Sequence, residues 1–134
     1  MMTDLELMQI ATEARQKAYA PYSGFMVGAA LLTVDGKVYT GCNIENAAYT
    51  PTNCAERTAF FKAVSEGERS FAAIAIVGGK GDEPAEFCAP CGVCRQVMAE
   101  FCKSDFRLVL GNENALQIRT LGELFPDSFS PADL

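Results

Sequence analysis

The chain contains no histidine. That absence removes Ser-His and Cys-His nucleophile pairs and every His-ligated metal site. Any zinc centre here must therefore be rich in thiolates. Basic residues are also scarce: Lys and Arg number 11 against 17 Asp and Glu, a formal charge of -6. A partner held by its phosphate backbone draws affinity from clustered cations, and no basic patch or basic-aromatic interleaving is present. No nucleic-acid partner is expected, and the balance suits a small uncharged ligand. No window approaches the roughly 18 consecutive apolar residues of a membrane span, so no membrane partner is expected. The start, Met1-Met2-Thr3-Asp4-Leu5-Glu6, lacks the basic residues and apolar run of a signal peptide, which predicts a cytoplasmic location.

What is present is a globular composition, with 49% hydrophobic and 21% charged residues in 134 positions. That length suits one domain over residues 1–134 with a real core and is too short for two. There are six cysteines. In a cytoplasmic chain they serve as metal ligands, catalytic groups or buried thiols more often than as disulfides.

Turn residues and hydrophobic periodicity divide the chain cleanly. Thr3 with Glu6 forms a capping box for a helix over roughly residues 4–18, which Ala20-Pro21-Tyr22-Ser23-Gly24 stops. Residues 26–33 read as a buried strand, and Asp35-Gly36 turns the chain into a second strand over 37–42. The polar stretch 43–53 is long enough to suggest work beyond connection. A helix is expected over 54–66, with Asn53 or Thr52 near its cap and Gly67 past its end. A strand over 71–77 precedes the glycine-rich 78–82 turn. Pro90 opens a third helix over roughly 91–102. Strands over 106–110 and 115–120 flank the Gly111-Asn112-Glu113-Asn114 turn, and Thr120 with Glu123 caps a short last helix. The order α-β-β-α-β-α-β-β predicts an α/β fold, a three-layer α/β/α sandwich around a mixed five-stranded sheet. A right-handed crossover makes the third and fourth strands parallel, and the hairpins make their strands antiparallel.

Two short stretches carry the chemistry. Thr52-Asn53-Cys54-Ala55-Glu56-Arg57 places a thiol, a carboxylate and a guanidinium together. Pro90-Cys91-Gly92-Val93-Cys94 adds two thiols, three apart on the first turn of a helix. Helix N-termini stabilise thiolates. If the two helices begin at one point, Cys54, Cys91 and Cys94 hold one zinc ion with a fourth position open, the catalytic pattern. Zinc with three thiolates carries an excess negative charge, which Arg57 is placed to offset by hydrogen bonding to ligand sulfur. Glu56 is then a proton carrier rather than a ligand. A Cys-x-x-Cys pair has other readings, as a redox couple or as part of a closed structural zinc site. Cys88, in Cys88-Ala89-Pro90-Cys91, is the candidate fourth ligand of such a closed site. Cys42 and Cys102 read as core thiols.

With these residues in view the chain resembles the small, zinc-dependent, homotetrameric cytidine deaminases. The resemblance rests on four ordered motifs: Tyr22-Ser23-Gly24-Phe25-Met26-Val27-Gly28-Ala29-Ala30, Gly41-Cys42-Asn43-Ile44-Glu45-Asn46-Ala47-Ala48-Tyr49, Cys54-Ala55-Glu56-Arg57, and Pro90-Cys91-Gly92-Val93-Cys94-Arg95-Gln96. It spans nearly the whole chain. It implies hydrolytic deamination of cytidine and 2'-deoxycytidine in pyrimidine salvage, with one Zn2+ per subunit on Cys54, Cys91 and Cys94. A zinc-activated hydroxide attacks C4 of the base, and Glu56 shuttles protons. It further implies that Glu56 contacts N3, that the Ala55 amide lies near the 2-oxo group, and that Asn43 and Glu45 bond the ribose 3'-hydroxyl. Phe25 would line the base pocket, while Tyr49 and Phe129 would reach the site of a neighbouring subunit. On residue type alone, Phe25 also suits a core, Asn43 and Glu45 a loop cap, and Tyr49 and Phe129 ordinary packing. A blasticidin-type deaminase shares the zinc motifs, but the Asn43-x-Glu45 dyad and its neighbours favour a nucleoside enzyme. The polynucleotide-acting relatives usually carry His at the Cys54 position, and this chain has none.

Overall fold

The computed structural model describes all residues from Met1 to Leu134. The elements are α1 (Asp4–Arg15), β1 (Phe25–Thr33), β2 (Val38–Cys42), α2 (Ala55–Ser65), β3 (Phe71–Lys80), α3 (Gly92–Phe101), β4 (Arg107–Asn112), β5 (Ala115–Thr120) and α4 (Leu121–Leu124), with a 3-10 turn over Pro131–Asp133. The five strands form one sheet in the order β2-β1-β3-β4-β5. Only β3 and β4 are parallel; β1 runs antiparallel to both β2 and β3, and β5 antiparallel to β4. The mixed five-stranded sheet and its α/β/α layering agree with the expectation.

Each face of the sheet has its own core. Leu7, Met8 and Ala11 of α1 pack on Ala30, Ala73, Ala75, Val77 and Val109. On the other face α2 and α3 bury Phe60, Ala63, Cys94 and Met98 against Leu31, Ile74, Ile76, Leu108 and Leu110. Burying one such aliphatic or aromatic side chain is worth about 1.5–3 kcal/mol, so these two clusters dominate the folding free energy. Phe60 also meets Phe71 edge-on, with ring centroids 5.1 Å apart.

The helices end where backbone bonding changes. Gln16, Lys17 and Ala18 donate to carbonyls only three residues back. Tyr19 then joins residue 44 in a β-bridge. The first helix therefore stops short of residue 18, because the next residues are drawn into contact with the 43–45 segment. The expected turn at 78–82 begins later than predicted. Gly78 and Gly79 stay extended because they pair with Val27 and Met26. Their missing side chains serve a different purpose: a Cβ on Gly79 would stand 2.6 Å from Ala85 N, and one on Gly78 2.8 Å from Cys88 Sγ. The chain after β3 thus folds back directly over the strand end.

Arg15 braces this region from the opposite side. Its side chain is buried. It donates to the carbonyls of Met26 (2.9 Å), Gly79 (2.7 Å) and Gly81 (2.7 Å). It ties the start of β1 and the end of β3 to α1.

Gly41 sets the position of α2. A Cβ there would overlap the Ala55 carbonyl oxygen and lie 2.6 Å from Ala59 N. The first turn of α2 consequently rests on the bare backbone of β2. Gly41→Ala is expected to destabilise the fold by about 3 kcal/mol in urea denaturation, since backbone rather than a mobile side chain must move. Gly92→Ala is the control: nothing lies within 4 Å of its Cβ position, so that change is neutral or gains about 0.5–1 kcal/mol.

Candidate active site

β1 runs antiparallel to both β2 and β3. β2 and β3 therefore point the same way, and the helices that follow them start from one edge of the sheet. One intervening strand puts the helices about 10 Å apart, the distance at which two helices pack. The two N-termini meet there. Cys54 is the N-cap of α2 and Cys91 the N-cap of α3, both with extended backbone and neither using its side chain to cap. The expected caps Thr52 and Asn53 do not cap α2, and Cys91 lies just before the helix rather than within it. The two thiols are left free to face a third, Cys94, on the first turn of α3.

The sulfurs of Cys54 and Cys91 are 3.7 Å apart. All three sulfurs lie within 4.8 Å of one another. Tetrahedral zinc with bonds of about 2.3 Å sets its sulfur ligands about 3.8 Å apart, so the trio fits that ion. The proton inventory agrees. A hydrogen bond from Cys94 holds the Cys54 thiol down to about 5, against burial and with help from Arg57. Cys94 moves in the opposite direction, held far above the ordinary thiol range by its bond to Cys54, by burial and by the charges of Glu56 and Cys54. Three like charges so close are unfavourable until a divalent cation joins them. Cys88 is not part of this group. Cys88→Ser is expected to keep one zinc per chain by atomic absorption; loss of the metal would show a closed four-thiol site.

Arg57 completes the electrostatics. Its Nη2 donates to Cys54 Sγ at 3.1 Å. Burial works against its charge, but the bonds to Cys54 and Cys94 outweigh it and raise its pKa. Its Nε is buried and without a partner. Glu56, on the first turn of α2, is 4% exposed. Burial pushes its carboxyl up to about 7; a bond from its own backbone opposes this and the Cys54 charge reinforces it. A carboxyl poised near neutral pH can both take and return a proton.

Cys54, Glu56 and Cys91 floor a cavity of about 290 Å3, walled by Phe25, Val27, Asn43, Glu45, Ala55 and Cys88 among others. A larger hollow of about 530 Å3, between the end of α3 and the C-terminal tail, holds none of the three thiols. Phe25 lies on the cavity wall, and Ala55 brings a first-turn amide that has no intrahelical acceptor. The Asn43 side chain accepts from Val27 N and donates to Phe25 O, both at 2.8 Å, and so pins the start of β1 with one N–H left over. Glu45 accepts from the backbone of Tyr22 (2.9 Å) and Ser23 (3.1 Å) and from the Ser23 hydroxyl. The Ser23 hydroxyl, before burial and the backbone bonds, sets its pKa, which is lowered.

Tyr49 and Phe129 are not in this cavity. Tyr49, 76% exposed and with φ 63, borders an adjoining cavity of about 260 Å3 that shares Ser23, Glu45 and Thr52. The Phe129 ring is 58% exposed, and its carbonyl accepts from Gln96 at 2.9 Å. The structure adds Ser23, Val27, Cys88 and Ala89 to the wall. The sequence placed Ser23 in a helix stop and in the first family motif, but gave its side chain no role. It had no means to place Cys88, because the return of the 84–88 segment over β3 is a tertiary contact. It also missed Arg95, which donates to the carbonyls of Pro90 and Leu124 and braces the start of α3. Cys102 follows the end of α3 and is half-buried, and burial raises its thiol to about 12.

Comparison with known proteins agrees with this centre. The family model for the cytidine and deoxycytidylate deaminase zinc-binding region matches residues 1–110. The chain is 52% identical over 130 residues to the cytidine deaminase of Sporosarcina psychrophila, covering 96% of this chain and 93% of the relative. It is 52% identical over 129 residues to that of Halalkalibacterium halodurans, covering 96% and 95%. The crystal structure of cytidine deaminase from Burkholderia pseudomallei superposes with a TM-score of 0.88 at 53% identity, over 96% of this chain and 100% of that one. A family match of that length, around a thiol trio spaced for zinc, leads to one conclusion: this chain belongs to the cytidine and deoxycytidylate deaminase zinc-binding family.

Proposed function

We infer that this protein is a zinc-dependent enzyme that deaminates cytidine, and 2'-deoxycytidine with it, to the corresponding uridine and ammonia. The observation that carries the reading is the buried Glu56 carboxyl beside three thiols spaced for zinc, at the floor of a nucleobase-sized cavity. Relatives that are cytidine deaminases along nearly their whole length support the substrate.

Cys54, Cys91 and Cys94 would hold the zinc, which when bound would supply a Lewis acid able to make water nucleophilic near neutral pH. Arg57 offsets the charge of the three thiolates. The two protons of water must end on N3 of the base and on the departing ammonia. Glu56 is the group placed to carry both, since it lines the cavity beside the thiols and burial raises its carboxyl to about 7. The Ala55 amide faces the 2-oxo group and Phe25 packs on the base. Asn43 and Glu45 bond the ribose 3'-hydroxyl; the half-buried, ionised Glu45 on the cavity wall supports that role.

Residues 1–134 act as one deaminase domain. It works as a cytoplasmic homotetramer in pyrimidine salvage, with no nucleic acid or membrane as partner. No helix is long and apolar enough to cross a membrane. The exposed Tyr49 and Phe129 rings, idle in their own chain, support sites completed by neighbouring subunits.

The decisive assay is loss of cytidine absorbance in the ultraviolet by zinc-loaded protein. Turnover of cytidine, with free cytosine far slower, is expected. Glu45→Ala should raise KM for cytidine at least tenfold, the size of a lost bond to a charged group, with zinc content unchanged. Equal rates on cytosine and cytidine would remove the ribose-reading role, and an inactive zinc-loaded protein would remove the enzyme reading.

A further inference from the structure

Glu45 is held unusually firmly for a half-buried loop residue. Its backbone is fixed first: Glu45 N donates to Tyr19 O at 2.8 Å, and Ile44 exchanges two bonds of 2.9 Å with Asn53. Its side chain is then fixed from the same side by the turn that follows α1. One carboxylate oxygen takes the amides of Tyr22 and Ser23. The other takes the Ser23 hydroxyl, so that both oxygens are bonded to one turn. The same hydroxyl oxygen accepts Phe25 N at 3.0 Å. The one Ser23 hydroxyl therefore links the backbone at Phe25 to the Glu45 carboxylate, and both residues line the cavity. Both Ser23 and Glu45 also stand between the thiol cavity and the adjoining one.

We propose that Ser23 is a positioning residue for sugar recognition: its hydroxyl holds the Glu45 carboxylate at the angle that accepts the substrate's ribose 3'-hydroxyl, and so makes the enzyme select nucleosides that carry that group. This rests on the reading of Glu45 as the ribose acceptor. The physical reason is lone-pair direction. A carboxylate has about four acceptor sites. The turn occupies three of them on one side. The site that remains is on the oxygen that Ser23 orients, and its direction is set by that one bond. Without the hydroxyl the carboxylate keeps its two amide bonds but pivots about them. Held acceptors cost a ligand less to engage than mobile ones.

The test compares cytidine with 2',3'-dideoxycytidine, which lacks the hydroxyl, on zinc-loaded wild type, Ser23→Ala, Ser23→Thr and Glu45→Ala. Zinc content and melting temperature are measured alongside. For Ser23→Ala, KM for cytidine should rise about tenfold with kcat within threefold of wild type, as expected when a ground-state contact is lost. Its kcat/KM for the dideoxy analogue should stay within about threefold, because that substrate never used the bond. Ser23→Thr keeps a hydroxyl and should keep most of the selectivity. An equal fall on both substrates would show that Ser23 acts through Phe25 or through folding, and overturns the proposal. So does an unchanged KM for cytidine. Glu45→Ala separates the two levels: if it lowers kcat/KM equally for both substrates, the ribose reading itself is wrong; if it lowers kcat/KM for cytidine alone and Ser23→Ala does not, only the role of Ser23 fails.

Discussion

Glu56→Gln is expected to keep its zinc and to lose about three orders of magnitude in kcat, the scale of a positioned acid-base group. Glutamine matches the shape of the side chain and leaves the three thiols and Arg57 in place, so metal content by atomic absorption should be unchanged. Unfolding does not explain the loss, for a reason that follows from the pKa. The Glu56 carboxyl is raised from its ordinary value of 4.5 to about 7. A group raised on folding costs stability as pH climbs through that window, and the full cost is present above about pH 7. Glutamine never ionises and escapes the cost. Glu56→Gln should therefore melt no lower than wild type at pH 8, with its relative advantage growing between pH 4.5 and pH 7. A variant that retains more than a tenth of the wild-type rate would show that some other group moves the protons.

Cys94→Ser is expected to abolish activity together with metal binding. Cys94 is 1% exposed and lies in the same buried cluster as Met98 and Phe60. Loss of an outer-shell partner of a metal ligand already weakens binding 10- to 100-fold, so loss of the ligand itself costs at least about a hundredfold. Zinc per chain should fall well below one after dialysis against a weak chelator that leaves wild type loaded. The same treatment should lower the melting temperature of the variant relative to wild type, because metal that binds only the folded state stabilises it. A Cys94→Ser protein that keeps stoichiometric zinc would show that the three-thiol centre is wrong.

Much of this fold is legible along the chain because its signals are local. Asp35-Gly36 and Gly111-Asn112 mark both hairpins. The capping boxes at Thr3–Glu6 and Thr120–Glu123 form as their spacing requires. The errors fall where a distant segment decides the outcome. Gly78 and Gly79 look like a turn, yet they extend β3 because β1 pairs with them. Asn53 looks like a helix cap, yet it bridges to Ile44 and leaves the cap to Cys54.

The thiol centre divides in the same way. Residue types and spacing alone determined that a zinc site here must be thiolate, that Cys91 and Cys94 share a helix start, and that Glu56 and Arg57 lie beside Cys54. Spacing is local, and a helix turn converts it into proximity. That Cys54 meets Cys91 across 37 residues, and Cys94 with it, was decided by tertiary structure: β1 turns β2 and β3 the same way, and the missing side chain of Gly41 lets α2 settle on the sheet. The choice of Cys88 as wall rather than ligand was decided there as well, by the return of its segment over Gly78. Such contacts depend on how layers pack, and no local pattern encodes which thiol ends up facing which.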